Sequence, residues 1–253
     1  MALLRFGSAS FDADLVAFDK DGTLIRFDAM WVRLAQSWVE YLVRGVGTKA
    51  EELERELYQA MGYDATRGEA DPDGPLAIAT TGQLQTIIAV TLYRDGLGWP
   101  AAEDKAREAF QATAQIPLSD LIEPAGQVHH LLASLQAAGV RVAVVTTDHR
   151  AETEETLRIL AVTRLVDQLV CGDDGIAVKP APDMLLAACR HLEVQPERTA
   201  IVGDTMGDLL MGRRAGAGFK AAVLTGAGTS DLLSPHADVV LDSIDEISVR
   251  PDV

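Results

Sequence analysis

Two hydrophobic patterns alternate along this chain. Residues 15–18, 140–146, 199–203 and 220–225 are short runs, apolar at almost every position and rich in Val, Ile and Ala. Strands buried on both faces read this way. Between the later runs, apolar residues recur at helical spacing and predict helices over 125–138, 151–160, 181–192 and 209–215. Leu169-Val170 and residues 238–241 are further strand candidates, the last followed by a short helix. Strands alternating with helices predict an α/β, doubly wound parallel sheet with helices on both faces.

The stretch after the first run breaks this alternation. Asp28 can cap a helix to Arg44, with Met30, Trp31, Leu34, Trp38 and Leu42 at helical spacing. Thr48 to Glu51 has the pattern of a capping box opening a helix over 49–61. Residues 64–75, rich in Gly, Asp and Pro, read as a loop, and helices follow over 82–94 and 101–115. Ile116-Pro117 marks a boundary. The expected organisation is therefore a core of residues 1–26 and 118–253, with an all-helical cap of residues 27–117 inserted at the C-terminal edge of the first strand, a position suited to a lid.

Charge narrows the class of ligand. A net charge of −16 argues against general nucleic-acid binding, which needs clustered Lys and Arg. An acidic chain that takes an anion must use local positive charge, a metal or backbone amides. Cys171 and Cys189 lack metal-ligand spacing and read as reduced thiols. Met1 to Ser10 shows no charged start followed by an apolar stretch, and no apolar run approaches the roughly 20 residues that span a bilayer. A soluble cytoplasmic protein, monomer or homodimer, is expected, without membrane or nucleic-acid partners.

The chemistry-bearing residues stand at strand ends. Asp19-Lys20-Asp21-Gly22-Thr23 follows the first run. Residues i and i+2 of a strand share a side, so both carboxylates can approach one centre. Close carboxylates repel unless a cation lies between them or one keeps its proton, which points to a metal, an acid/base pair, or both. Thr146 and Thr147 end the second run, where hydroxyls and backbone amides can hold a phosphate oxygen. Lys179 precedes Pro180 at a helix start and can neutralise phosphoryl charge or hold a carboxylate. Asp204 and Asp208 follow the run at 199–203, and oxygen ligands of this kind suit Mg²⁺. His149 follows the second run as a solvated helix-start residue or one that reaches the cleft; Asp173-Asp174-Gly175 reads as a tight turn. Trp31 and Trp38 share a helical face suited to packing within the cap.

Together these segments resemble the haloacid dehalogenase-like superfamily in its phosphatase branch, of the phosphoglycolate phosphatase type. Its four motifs read here as Asp19-Lys20-Asp21-Gly22-Thr23, Thr146, Lys179-Pro180, and Gly203-Asp204 with Asp208. The resemblance implies a Rossmann-like core with a helical cap, and a Mg²⁺-dependent phosphatase acting on a small phosphorylated metabolite. By similarity Asp19 is the nucleophile that forms an aspartyl-phosphate, and Asp21 is the acid and base. Thr146, Thr147 and Lys179 bind the phosphoryl group. Asp19, the Asp21 backbone carbonyl and Asp204 hold the metal; Asp208 acts on it directly, through a water, or through the lysine. The second aspartate is absent in the family's dehalogenases, so Asp21 favours an oxygen leaving group. Thr147, Asp148 and His149 depart from the Asn often found after the second motif. The alternatives are a phosphomutase of the β-phosphoglucomutase type, and a non-catalytic protein that binds a phosphorylated ligand.

Overall fold

The computed structural model describes residues 2–44 and 46–250. They form two units, Met1–Phe27 with Ile122–Val253, and Asp28–Leu121. The second break lies beyond the expected Ile116-Pro117, because a single helical turn, Leu118–Asp120, still belongs to the inserted unit. There the Arg33 guanidinium donates to the Asp120 carbonyl.

The chain opens with a hairpin the sequence pattern did not reveal, β1 (Ala2–Phe6) and β2 (Ala9–Ala13). It leads into β3 (Leu15–Phe18), the first apolar run. The inserted unit follows: α1 (Arg33–Val43), α2 (Ala50–Met61), the two-residue strands β4 (Tyr63–Asp64) and β5 (Glu69–Ala70), α3 (Pro75–Ile78), α4 (Thr81–Arg94) and α5 (Trp99–Thr113). A π-helical turn, Asp28–Val32, precedes α1. The expected loop over 64–75 thus contains a small hairpin. The expected capping box at Thr48 does not form: a tight turn at Gly47–Lys49 takes up that residue, and Lys49 leads α2 without a side-chain cap. The reciprocal box is at Thr80 and Gln83, opening α4. Trp38 stacks on Phe110 with ring centres 4.1 Å apart and donates its indole N–H to Thr113 Oγ1 at 2.8 Å. That buried donor is satisfied, so the ring fills the interior of this unit without a desolvation penalty.

The chain then runs through α6 (Val128–Ala137), β6 (Arg141–Val145), α7 (Arg150–Ile159), β7 (Gln168–Val170), α8 (Asp183–Leu192), β8 (Thr199–Gly203), α9 (Met206–Ala215), β9 (Phe219–Val223), α10 (Ser230–Leu233), β10 (Val239–Leu241) and β11 (Ile247–Val249). The helix expected after β10 is only one turn, Ile244–Glu246. β11 instead pairs antiparallel with β1, making a three-stranded sheet in the order β11-β1-β2.

The main sheet has six strands in the order β10-β9-β8-β3-β6-β7, all parallel. Val16, Phe18, Val142, Val144, Ala200 and Val202 pack on one face; Leu15, Ala17, Ala143, Val145 and Ile201 pack on the other. Period-two alternation with both faces buried is why these strands read as continuous apolar runs. From β3 the chain proceeds outward on one side through β6 and β7, and on the other through β8, β9 and β10. The strand order therefore reverses beside β3, where open α/β sheets form their ligand crevice. Among the described residues no helix is long and apolar enough to cross a membrane.

Candidate active site

Register decides which side chains meet. Phe18 pairs with Val144 of β6 and with Val202 of β8. Asp19 is the next residue, its N–H donating to the Val202 carbonyl at 2.9 Å. Asp204 follows β8 by one residue and Thr146 follows β6, so three motifs end at one level of the sheet. Thr146 is buried and its Oγ1 accepts from the Asp148 N–H at 3.2 Å. Thr147 is exposed.

Lys179 links two of the carboxylates. Its ammonium donates to Asp19 Oδ1 at 2.5 Å and to Asp208 Oδ1 at 2.6 Å, with its side chain only 7% exposed. The second Asp208 oxygen accepts from the Thr205 N–H at 3.1 Å and the Thr205 hydroxyl at 2.6 Å, capping α9. Both Asp208 oxygens therefore have protein partners. Of the partners the sequence left open to Asp208, the lysine is in direct contact with it.

Asp204 differs. Its Oδ2 accepts from the Ala227 N–H at 3.1 Å, whereas Oδ1 is buried with no hydrogen-bond partner. A buried carboxylate oxygen without a partner carries a heavy desolvation cost unless a cation completes it. Asp19, Asp204 and Asp208 offer oxygens within 4.8 Å of one another, all buried. Were all three carboxylates ionised, they would exceed the Lys179 ammonium beside them by two negative charges. Burial raises the Asp19 carboxyl towards about 7; Lys179 opposes this, and Asp208 and Asp21 reinforce it. Burial likewise pushes Asp204 well above the usual carboxylate range, with Asp19 and Asp208 adding repulsion. The orphaned oxygen and the charge deficit both fit a divalent cation held by oxygen ligands.

A loop that sequence reasoning passed over packs against Asp204. Thr225 Oγ1 donates to the Gly22 carbonyl at 2.6 Å, tying the end of β9 to the turn after β3. A Cβ on Gly226 would lie 1.8 Å from Asp204 Oδ2, so only glycine lets the loop close on that carboxylate. Gly22 has φ +78°, and a Cβ there would lie 2.4 Å from the same oxygen. The only sequence signal was a Gly-Ala-Gly triplet after a strand.

Lys20 was also underread. Its side chain is wholly buried and its ammonium pairs with Asp21 Oδ1 at 2.7 Å and Asp148 Oδ2 at 2.9 Å. Burial alone would lower this ammonium; the two carboxylates outweigh burial and raise it. His149 is largely exposed, 3.5 Å from Asp173. The Asp173-Asp174 turn anchors the start of α7: Asp173 accepts from the Arg150 N–H, and Asp174 takes the Arg150 guanidinium at 2.7 and 2.8 Å.

Comparison with known proteins gives a consistent picture. The family model for haloacid dehalogenase-like hydrolases matches residues 13–216. A pyrophosphatase, PpaX, of Bacillus mycoides (strain KBAB4) is 31% identical over 128 residues, covering 51% of this chain and 60% of that protein. The chain thus spans under two thirds of that curated relative. Among solved structures, a predicted phosphoglycolate phosphatase from Haemophilus somnus 129pt superposes with a TM-score of 0.64 at 17% identity, covering 92% of this chain and 95% of the other. A protein provisionally described as a β-phosphoglucomutase, from Thermotoga maritima, gives 0.63 at 18% identity, covering 90% and 94%.

Proposed function

This chain belongs to the haloacid dehalogenase-like hydrolases, and we propose that it is a Mg²⁺-dependent phosphatase that hydrolyses a small phosphomonoester through a phosphorylated Asp19. The observation that carries this reading is the buried Asp19–Lys179–Asp208 chain beside Asp204, whose Oδ1 is unpartnered. A carboxylate held by an ammonium at the sheet's switch point is oriented for in-line attack, and such positioning is most of what phosphoryl transfer requires.

In the proposed sequence a carboxylate oxygen of Asp19 attacks phosphorus while the bond from phosphorus to the alcohol oxygen breaks. Asp21 gives its proton to that leaving oxygen. Asp21 then takes a proton from the water that attacks the aspartyl-phosphate, which frees inorganic phosphate and regenerates Asp19. Lys179 has three N–H donors, and two are committed to Asp19 and Asp208. The third is available to a phosphoryl oxygen, with the Thr146 hydroxyl as a second donor. Asp208 and Thr205 hold the lysine in place. Asp19, Asp204 and the Asp21 backbone carbonyl would hold the cation, which when bound neutralises charge on the transferring group.

The test is phosphate release from a panel of small phosphomonoesters and inorganic pyrophosphate, the latter included because the curated relative is named a pyrophosphatase. Release with Mg²⁺, loss with EDTA and loss in Asp19→Asn are expected. Isomerisation of a sugar phosphate without phosphate release would establish a mutase instead.

A further inference from the structure

Lys20 lies between the two motif aspartates, yet its side chain is wholly buried. A lysine in that setting is costly unless paired, because its ammonium has left water. Here it is paired twice, to Asp21 Oδ1 at 2.7 Å and to Asp148 Oδ2 at 2.9 Å. The backbone of Lys20 is equally fixed: its carbonyl accepts from the Leu24 N–H at 2.9 Å and the Ile25 N–H at 3.1 Å. Asp148 is fixed too. Its N–H donates to Thr146 Oγ1 at 3.2 Å, and its carbonyl accepts from the Gly172 N–H at 2.8 Å.

We propose that Lys20 and Asp148 are positioning residues for Asp21, forming a buried tether from the turn after β3 to the turn after β6 that aims the Asp21 carboxyl at the leaving oxygen. The inference rests on the reading of Asp21 as acid in a phosphatase. Asp21 and Asp148 are both partly open to solvent, with side chains 18% and 20% exposed, whereas the cation that joins them is sealed. A sealed ammonium cannot itself meet substrate. It fixes the torsion of a carboxyl that can. Asp148 also touches Thr146, through its backbone N–H rather than its carboxylate, so the residue that ends the ion triad lies beside one phosphoryl ligand as well.

A mispositioned acid leaves a specific kinetic trace. p-Nitrophenolate departs without a proton, whereas phenolate, with a conjugate acid near pKa 10, needs one. Phenyl and p-nitrophenyl phosphate have nearly the same shape, and kcat/KM reports transfer to Asp19. The experiment measures kcat/KM for both substrates with Mg²⁺ in the full-length protein, Lys20→Met, Lys20→Arg and Asp148→Asn. Lys20→Met is expected to lose about 100-fold or more on phenyl phosphate and under about tenfold on p-nitrophenyl phosphate. Asp148→Asn, at a partly exposed position that keeps the Lys20–Asp21 pair, should shift the ratio the same way by a smaller factor. Lys20→Arg should restore much of the phenyl phosphate rate. Equal losses on both substrates in Asp148→Asn, or an unchanged ratio, would overturn the tether while leaving the phosphatase reading intact. No release from either substrate by the unmodified protein would remove that reading and the inference with it.

Discussion

The electrostatics of the buried carboxylates predict that Asp19→Asn stabilises the metal-free protein while abolishing turnover. Burial, with Lys179 opposing and Asp208 and Asp21 reinforcing, raises Asp19 from 3.8 towards about 7. That is about three pKa units at about 1.4 kcal/mol each, so the fold carries up to about 4 kcal/mol for keeping Asp19 ionised. The sign follows from proton counts. Between about pH 4 and pH 7 the folded state binds the Asp19 proton more tightly than the unfolded chain does, so this group's contribution falls as pH rises through that window. The cost is fully present above about pH 7 and absent at pH 4. Asparagine never ionises and escapes it. In EDTA at pH 8 the variant should therefore exceed the parent by up to about 4 kcal/mol, which for a chain of this size is roughly 8–16 °C in Tm. Near pH 4 the two should converge. With Mg²⁺ the order should reverse, because the parent gains binding energy that the variant has largely lost. Unfolding in urea with EDTA and with Mg²⁺, at pH 4, 6 and 8, reads all of this. A variant no more stable than its parent at pH 8 in EDTA would show that Lys179 fully compensates Asp19, and would refute the charge-deficit argument.

Three other changes probe the same centre. Asp204→Asn should weaken Mg²⁺ binding by at least about tenfold in titration calorimetry, since it replaces the carboxylate with the orphaned oxygen. Gly226→Ala puts a Cβ 1.8 Å from Asp204 Oδ2; it should cost about 1–3 kcal/mol in urea unfolding and also weaken the cation. Lys179→Met strands Asp19 and Asp208 without their shared partner; kcat should fall by at least about 100-fold, and metal-free stability should drop by about 3–5 kcal/mol.

The parts of this molecule that were legible in the sequence are those whose signal is local. β3, β6 and β8 are buried on both faces, so each announced itself as a nearly continuous apolar run with polar residues at its end. What escaped lacks such a run: the β1–β2 hairpin is local, but its strands mix apolar and polar residues without a clear period. β1 alternates buried and exposed residues, but its partner β11 lies over 240 positions away and is three residues long, so no local pattern marked the pairing. Thr48 and Thr80 both begin capping-box patterns; Thr80 itself is extended, with φ −69° and ψ 157°, as an N-cap requires, whereas a tight turn absorbs Thr48.

The site shows the same division. Asp19, Lys179, Asp204 and Asp208 were placed by motif and meet in the fold. Lys20 sits between two aspartates just past the end of β3, with no local pattern to say where its side chain goes, and Asp148 stood out only as a departure from a pattern. Their pairing became visible once β3 and β6 were adjacent and in register. Gly226 looked like any loop glycine until the Asp204 carboxylate was found against it.

The proposed function depends above all on passage of the phosphoryl group through Asp19. Its most direct test is a single-turnover reaction with ³²P-labelled substrate and Mg²⁺, quenched in acid and followed by peptide mapping. Transient label is expected on the peptide containing Asp19, lost as phosphate appears and absent in Asp19→Asn. Phosphate release at the full rate with no labelled peptide, or with Asp19→Asn still turning over, would contradict it.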